Sequence, residues 1–189
     1  MMKKRLLEPG NVCLQIVDVQ ESLMAKIHQA DRVAATVELL IRCGRMLGIP
    51  MVANTQYQKG LGPYVPALEA LVGDLPRFDK VEFNAVQNSG TEAFLNALPM
   101  EVTTVALVGV ETHICIYQTA LGLLDKGFAV WVVADGVSSR KPADHEYALA
   151  RLRSMGVAVG PTEMLIYELL GKAGTPTFKE VLPYITSRR

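Results

Sequence analysis

The sequence predicts an α/β domain built on a doubly wound parallel sheet with helices on both faces. Short β-rich apolar runs alternate along the chain with segments of helical period. Most of these runs are nearly continuous in apolar character, as strands covered on both faces must be. The right-handed crossover rule then favours double winding, which places a ligand site beyond the carboxyl ends of the strands.

The elements follow in order. Val12 to Val19 reads as a strand that carries Asp18 at its end. Ala30 to Leu47 reads as a helix, with Val33, Val37, Leu40, Ile41 and Leu47 close to a 3.6 period and Gly48 and Pro50 as its stop signals. Pro50 to Thr55 is a second strand, Lys59 to Pro66 a loop rich in Gly and Pro, and Ala67 to Val72 a short helix. Lys80 to Phe83 is a brief third strand, and Thr91 to Leu98 a helix. Thr103 to Val110 is strongly strand-like and runs into Glu111-Thr112-His113-Ile114-Cys115, after which Ile116 to Lys126 forms a helix closed by Gly127. Phe128 to Ala134 is the fifth strand, Ala143 to Met155 a helix, Val157 to Val159 the sixth strand and Glu163 to Leu170 a last helix. Residues 1–189 thus read as one domain, with a core over about 12–170 and a C-terminal tail over 171–189.

Composition narrows the function. Nineteen Lys and Arg balance nineteen Asp and Glu, so nothing marks a surface for nucleic acid or anionic lipid. No apolar run reaches the length of a membrane span, and the basic start before Glu8 and Pro9 lacks the apolar core of a signal peptide. Three cysteines without paired spacing fit neither a disulfide scaffold nor a zinc ribbon, and a cytoplasmic protein is expected, with a short organellar address as the alternative. The apolar run Met164-Leu165-Ile166 with Tyr167 predicts surface left over for self-association.

Cys115 lies at a strand-to-helix junction, where unpaired backbone N–H groups and the helix dipole favour an anion. A thiol there is expected to have a lowered pKa, and the same N–H groups would suit an oxyanion. The alternative is an inert buried cysteine, the reading that fits Cys13 within a strand and Cys43 within a helix. Asp18 ends an apolar run and is either a turn residue or a carboxylate with a task. Lys80, on spacing alone, reads as a surface lysine, and Asp79 and Glu82 as solvated neighbours. His113, two residues before Cys115, offers a weaker Cys–His pairing; His28 and His145 fall on predicted surfaces.

The stretch Gly109-Val110-Glu111-Thr112-His113-Ile114-Cys115-Ile116-Tyr117-Gln118-Thr119-Ala120 resembles the nucleophile segment of the isochorismatase-like cysteine hydrolases. Val17-Asp18-Val19-Gln20 is similar to that family's acid motif, and Asp79-Lys80-Val81-Glu82-Phe83-Asn84 to its lysine motif. The match runs in order from about Val12 to Leu170, through Ala134-Asp135-Gly136-Val137-Ser138-Ser139 and Thr162-Glu163-Met164. The resemblance implies a six-stranded parallel sheet, a triad of Asp18, Lys80 and Cys115, and a cis peptide between Val110 and Glu111. It also implies an oxyanion hole from the Glu111 and Cys115 amides, and a homo-oligomer (dimer, tetramer or larger). Gln20, Leu23, Asn84 and Tyr117 are expected to line the substrate pocket.

Two departures shape the expectation. Nicotinamidases of the family carry histidine-rich metal ligands after the second strand, whereas Asn54-Thr55-Gln56-Tyr57-Gln58-Lys59 holds neither histidine nor carboxylate, so no metal or other cofactor is expected. Many relatives follow the lysine motif with Phe-Ser, where this chain has Phe83-Asn84. The expected activity is hydrolysis of a small non-peptide amide or related carbonyl compound through an acyl thioester on Cys115. Vinyl-ether cleavage of the isochorismatase type and a non-catalytic binding or scaffold protein are the alternatives.

Overall fold

The structure, a computed structural model, describes residues 6–187. Its sheet is six-stranded and all-parallel: β1 Val12–Val17, β2 Met51–Gln56, β3 Arg77–Lys80, β4 Thr104–Val110, β5 Ala129–Ser138 and β6 Ala158–Gly160. The spatial order is β3-β2-β1-β4-β5-β6, so strand order reverses between β1 and β4, as double winding requires. The helices are α1 Glu21–Met24, α2 Ala30–Leu47, α3 Gln58–Leu61, α4 Pro66–Val72, α5 Ser89–Asn96, α6 Tyr117–Asp125, α7 Pro142–Ser154, α8 Thr162–Leu170 and α9 Pro176–Thr186.

Period-two alternation sends successive strand residues to two separate apolar cores. Leu14 and Ile16, Ala106 and Val108, and Trp131 and Val133 meet Val37, Leu40 and Ile41 of α2 and Leu165 and Ile166 of α8. Cys13 and Val17, Val105 and Leu107, and Val130 and Val132 meet Leu95 of α5, Leu123 of α6 and Leu152 of α7 on the opposite face. Each fully buried Leu or Ile contributes about 1.5–3 kcal/mol relative to an exposed one. Helix α2 stops at Gly48, whose φ of 67° suits the left-handed turn in which Gly48 N–H and Ile49 N–H return to the carbonyls of Arg45 and Gly44.

Four sequence expectations are corrected. The third strand spans Arg77–Lys80 rather than Lys80 to Phe83, so Lys80 closes it instead of opening it. Pairing sets this register, since Arg77 to Lys80 run beside Ala53 to Gln56 and leave Val81 and Phe83 exposed. The segment after residue 171 is not a tail. Thr175 accepts the Phe178 N–H as an N-cap, Pro176 starts α9, and Val181 and Ile185 enter the core beside α2, with Pro183 inside the helix. The fifth strand continues past Ala134 to Ser138 through an irregularity, Leu107 pairing with Val132 but Gly109 with Val137. Along this detour Asp135 Oδ1 accepts the backbone N–H and hydroxyl of Thr162 at 2.7 and 2.6 Å and holds the start of α8. The expected loop after Lys59 contains the turn of α3 and the wholly buried Tyr64, whose hydroxyl donates to the Asn54 carbonyl at 2.6 Å with the Ile16 carbonyl at 3.0 Å. Of the run expected to leave surplus apolar surface, Leu165 and Ile166 are buried while Met164 and Tyr167 are exposed.

Gly109 shows how closely β4 approaches β1. Its φ is 120°, and a Cβ there would fall 1.9 Å from the Val17 carbonyl oxygen. Overpacking and a strained φ each cost about 1–3 kcal/mol. Gly109→Ala is therefore expected to lower unfolding stability by about 2–6 kcal/mol. Urea denaturation checks it, and an unchanged midpoint would contradict this packing. Among the described residues, no helix is long and apolar enough to cross a membrane.

Candidate active site

The sheet reversal brings the ends of β1, β2, β3 and β4 to one place. Asp18 follows β1, Gln56 ends β2, Lys80 ends β3, and Cys115 lies five residues beyond β4. The Asp18 backbone has a φ of 56°, a left-handed conformation uncommon for a non-glycine residue, and its N–H donates to the Asn54 carbonyl at 3.0 Å. The Lys80 ammonium donates to Asp18 Oδ2 at 2.7 Å and to Gln56 Oε1 at 2.6 Å, and lies 3.8 Å from Cys115 Sγ. Its three protons thus have three partners, and both charged side chains of the pair are fully buried. Cys115 Sγ is 4.0 Å from Gln56 Oε1.

Burial and neighbouring charge divide the protons. Desolvation raises the Asp18 carboxyl above its ordinary value, against the pull of Lys80 and of the adjacent Cys115 thiol. Burial pushes the Cys115 thiol up to about 12, reinforced by the Asp18 carboxylate and opposed by Lys80. The expectation of a lowered thiol pKa is corrected: the protein removes water from the sulfur, and the adjacent carboxylate disfavours a second negative charge. The resting cysteine is therefore a neutral thiol beside a carboxylate of raised basicity. Asp18 Oδ1 is buried without a hydrogen-bond partner, an acceptor not consumed by Lys80.

The segment carrying Cys115 is a single π-helical turn, Thr112–Ile116, with Ile116 N–H donating to the Glu111 carbonyl at 3.2 Å before α6 begins. The Val110–Glu111 peptide is cis. The Glu111 side chain turns to the Arg140 backbone N–H at 2.9 Å and to the Arg140 Nε at 3.1 Å. His113 does not pair with the thiol; its Nδ1 lies 2.9 Å from Ser139 Oγ and its Nε2 3.9 Å from Asp144.

The four expected pocket residues divide differently. Gln20 is buried, and its amide is used up as a bracket: Oε1 accepts Gln56 N–H at 2.7 Å while Nε2 donates to the carbonyls of Gln56 and Gly62. It therefore positions Gln56. Leu23 packs against the core on the α2 side. Asn84 Oδ1 accepts Val86 N–H at 3.0 Å, and its amide stands where a Cβ on Gly122 would sit. Tyr117 opens α6, partly buried against the second core. Asp79 is exposed yet engaged, Oδ1 accepting from the Thr55 hydroxyl and Gln58 N–H, both at 2.9 Å.

Sequence reasoning missed Gln56 and His145. Gln56 lies in the stretch that lacks metal ligands, and its position at a strand end is the available signal. His145 is buried, not on a surface, with Nδ1 2.9 Å from Thr112 Oγ1. His28 is exposed as expected.

An isochorismatase domain model matches residues 12–164. Isochorismatase domain-containing protein 2 of Bos taurus is 40% identical over 173 residues, covering 92% of this chain and 82% of that protein. Isochorismatase domain-containing protein 1 of Salmo salar is 39% identical over 173 residues, and the match covers 92% of this chain but 60% of that longer protein. Among solved structures, one described as the MAR1 ribonuclease of Caenorhabditis elegans superposes with a TM-score of 0.90 at 35% identity, covering 98% of this chain and 94% of that one.

Proposed function

The chain belongs to the isochorismatase domain family, and we propose that it is a cysteine hydrolase of small non-peptide amides or related carbonyl compounds, with Asp18, Lys80 and Cys115 as its catalytic residues. The observation that carries this reading is the buried Lys80 ammonium, 2.7 Å from Asp18 and 3.8 Å from Cys115 Sγ.

In this mechanism Asp18 takes the thiol proton as Cys115 Sγ attacks the substrate carbonyl carbon. Proton transfer and attack are coupled, because a thiol pushed up to about 12 does not ionise first at neutral pH. The carbonyl oxygen becomes an oxyanion, received by the backbone N–H groups of Glu111, just before the π turn, and of Cys115, within it. Collapse of the tetrahedral adduct breaks the C–N bond. Asp18 returns its proton to the departing amine, and an acyl thioester remains on Cys115. Water then attacks that ester with Asp18 as base, releasing the acid and restoring the thiol. Lys80 stays charged throughout and compensates the negative charge as it moves between Asp18 and the sulfur.

The test is intact-protein and peptide mass spectrometry after incubation with a panel of small amides and esters. An acyl adduct on Cys115, absent in Cys115→Ala, is the expected result; modification confined to Cys13 or Cys43 would overturn the reading. Single-stranded RNA belongs in the panel because of the description attached to the C. elegans structure, and the balanced charge of this chain predicts no cleavage.

A further inference from the structure

One segment, residues 139–145, binds three successive residues of the nucleophile turn. Arg140 holds the Glu111 carboxylate, His145 holds the Thr112 hydroxyl, and Ser139 with Asp144 holds His113. The segment is itself anchored, since Ser138 Oγ donates to the His28 carbonyl at 2.7 Å and His28 N–H to the Ser139 carbonyl at 3.1 Å. Two of these links reach solvent: the Arg140 side chain is 55% exposed and that of His113 27%. The bond between Thr112 and His145 is the most buried of them, Thr112 being wholly buried and the His145 side chain 11% exposed. A hydrogen bond out of water restrains most, because breaking it leaves a polar group with no substitute partner.

We propose that His145 is a positioning residue, which through its buried hydrogen bond to Thr112 pins the π turn that aims Cys115 at Asp18 and Lys80. This rests on the reading of Cys115 as nucleophile. A π turn has poor hydrogen-bond geometry of its own and gains most from an external restraint. Thr112 is the first residue of that turn, three before the sulfur.

The pin works in one protonation state. Glu146 Oε1, 3.8 Å from His145 Nε2, favours the tautomer that carries its proton there, so Nδ1 accepts from the Thr112 hydroxyl. A second proton on Nδ1 removes that acceptor. Burial lowers the pKa of His145 and keeps the ring neutral; Arg32 on α2, His28 before α2 and Arg153 on α7 act in the same direction, and Glu146 against them.

Backbone amide hydrogen exchange of the full chain, read on peptides spanning 111–117 and corrected for the intrinsic rate at each pH, tests the pin without a substrate. Losing one buried hydrogen bond predicts about tenfold faster exchange of that peptide in His145→Leu and in Thr112→Val, with the double variant no faster than either. In His145→Asn an amide stands close to where Nδ1 stood, and exchange is expected within about twofold of the original chain. Peptides from β1 are expected to be unchanged in all variants, which separates loosening of the turn from general instability. Acidification through the His145 titration is expected to unprotect the 111–117 peptide in the original chain but not in His145→Asn. Unaltered exchange in His145→Leu, or protection independent of pH in the original chain, overturns the proposal. A chain acylated on Cys115 with an unmoved turn refutes the pin alone; a turn that loosens in a chain never acylated supports the pin and refutes the nucleophile.

Discussion

Replacing Asp18 with asparagine is expected to slow hydrolysis while speeding alkylation of Cys115. Hydrolysis loses the base beside the thiol, and removing a positioned general acid–base group costs about 10²–10⁴-fold in rate. Alkylation by iodoacetamide needs only thiolate. With the thiol near 12, about one molecule in 10⁴ is thiolate at pH 8, and the Asp18 charge is one cause of that height. Asparagine removes this charge and leaves Lys80, so the thiol pKa falls and alkylation quickens by about three- to fourfold for each unit of fall, the tenfold gain in thiolate being partly offset by its lower nucleophilicity. Rates of both reactions at pH 8 check the prediction. Parallel slowing of the two would show that Asp18 activates the thiol in the resting state, contrary to the electrostatics of the site. The sign for stability is also fixed. Because Asp18 holds its proton to higher pH when folded, its contribution is fully present below the unfolded pKa and is lost as pH rises through the folded pKa.

Lys80→Met is expected to cost stability as well as activity. It leaves Asp18 buried without its ammonium, and breaking one side of a buried pair typically costs about 3–5 kcal/mol. The remaining carboxyl escapes that penalty by keeping its proton, so the loss should be larger at pH 8 than at pH 5. A protonated Asp18 cannot accept from the thiol, and hydrolysis fails for that reason too. Removing both charges in Asp18→Asn with Lys80→Met should cost less than the sum of the single changes, since neither partner is left stranded. Urea unfolding at the two pH values measures this. Additive, pH-independent losses would mean that the two groups do not act as a pair.

Much of the fold was legible because the strands buried on both faces have to be apolar almost throughout, and β1, β4 and β5 are. The third strand was not, because three of the four residues Arg77-Phe78-Asp79-Lys80 are charged and only Lys80 is buried, while Val81 and Phe83 look more strand-like yet stand in solvent. The error mattered for function, since a lysine opening β3 would have lain at the wrong end of the sheet. Helix α9 was hidden by Pro183, which stands on the exposed side of its last turns. Asp18 and Cys115 stood out as polar groups closing apolar runs. Gln56 carries no charge and was silent, although its carbonyl oxygen completes the shell of Lys80. His145 was misplaced because α7 has weak apolar periodicity and buries a histidine while exposing Tyr147. The direction of the thiol pKa was beyond sequence altogether: it depends on burial and on a carboxylate brought from the other end of a crossover.

The central claim is that Cys115 forms a covalent acyl intermediate, and trapping that intermediate tests it most directly. Rapid-quench mass spectrometry of the chain with an ester or amide substrate should show Cys115 heavier by the acyl group, decaying as the free acid appears. The adduct should be absent in Cys115→Ala, together with turnover. Turnover that persists in Cys115→Ala, with no adduct on the original chain, would contradict the account.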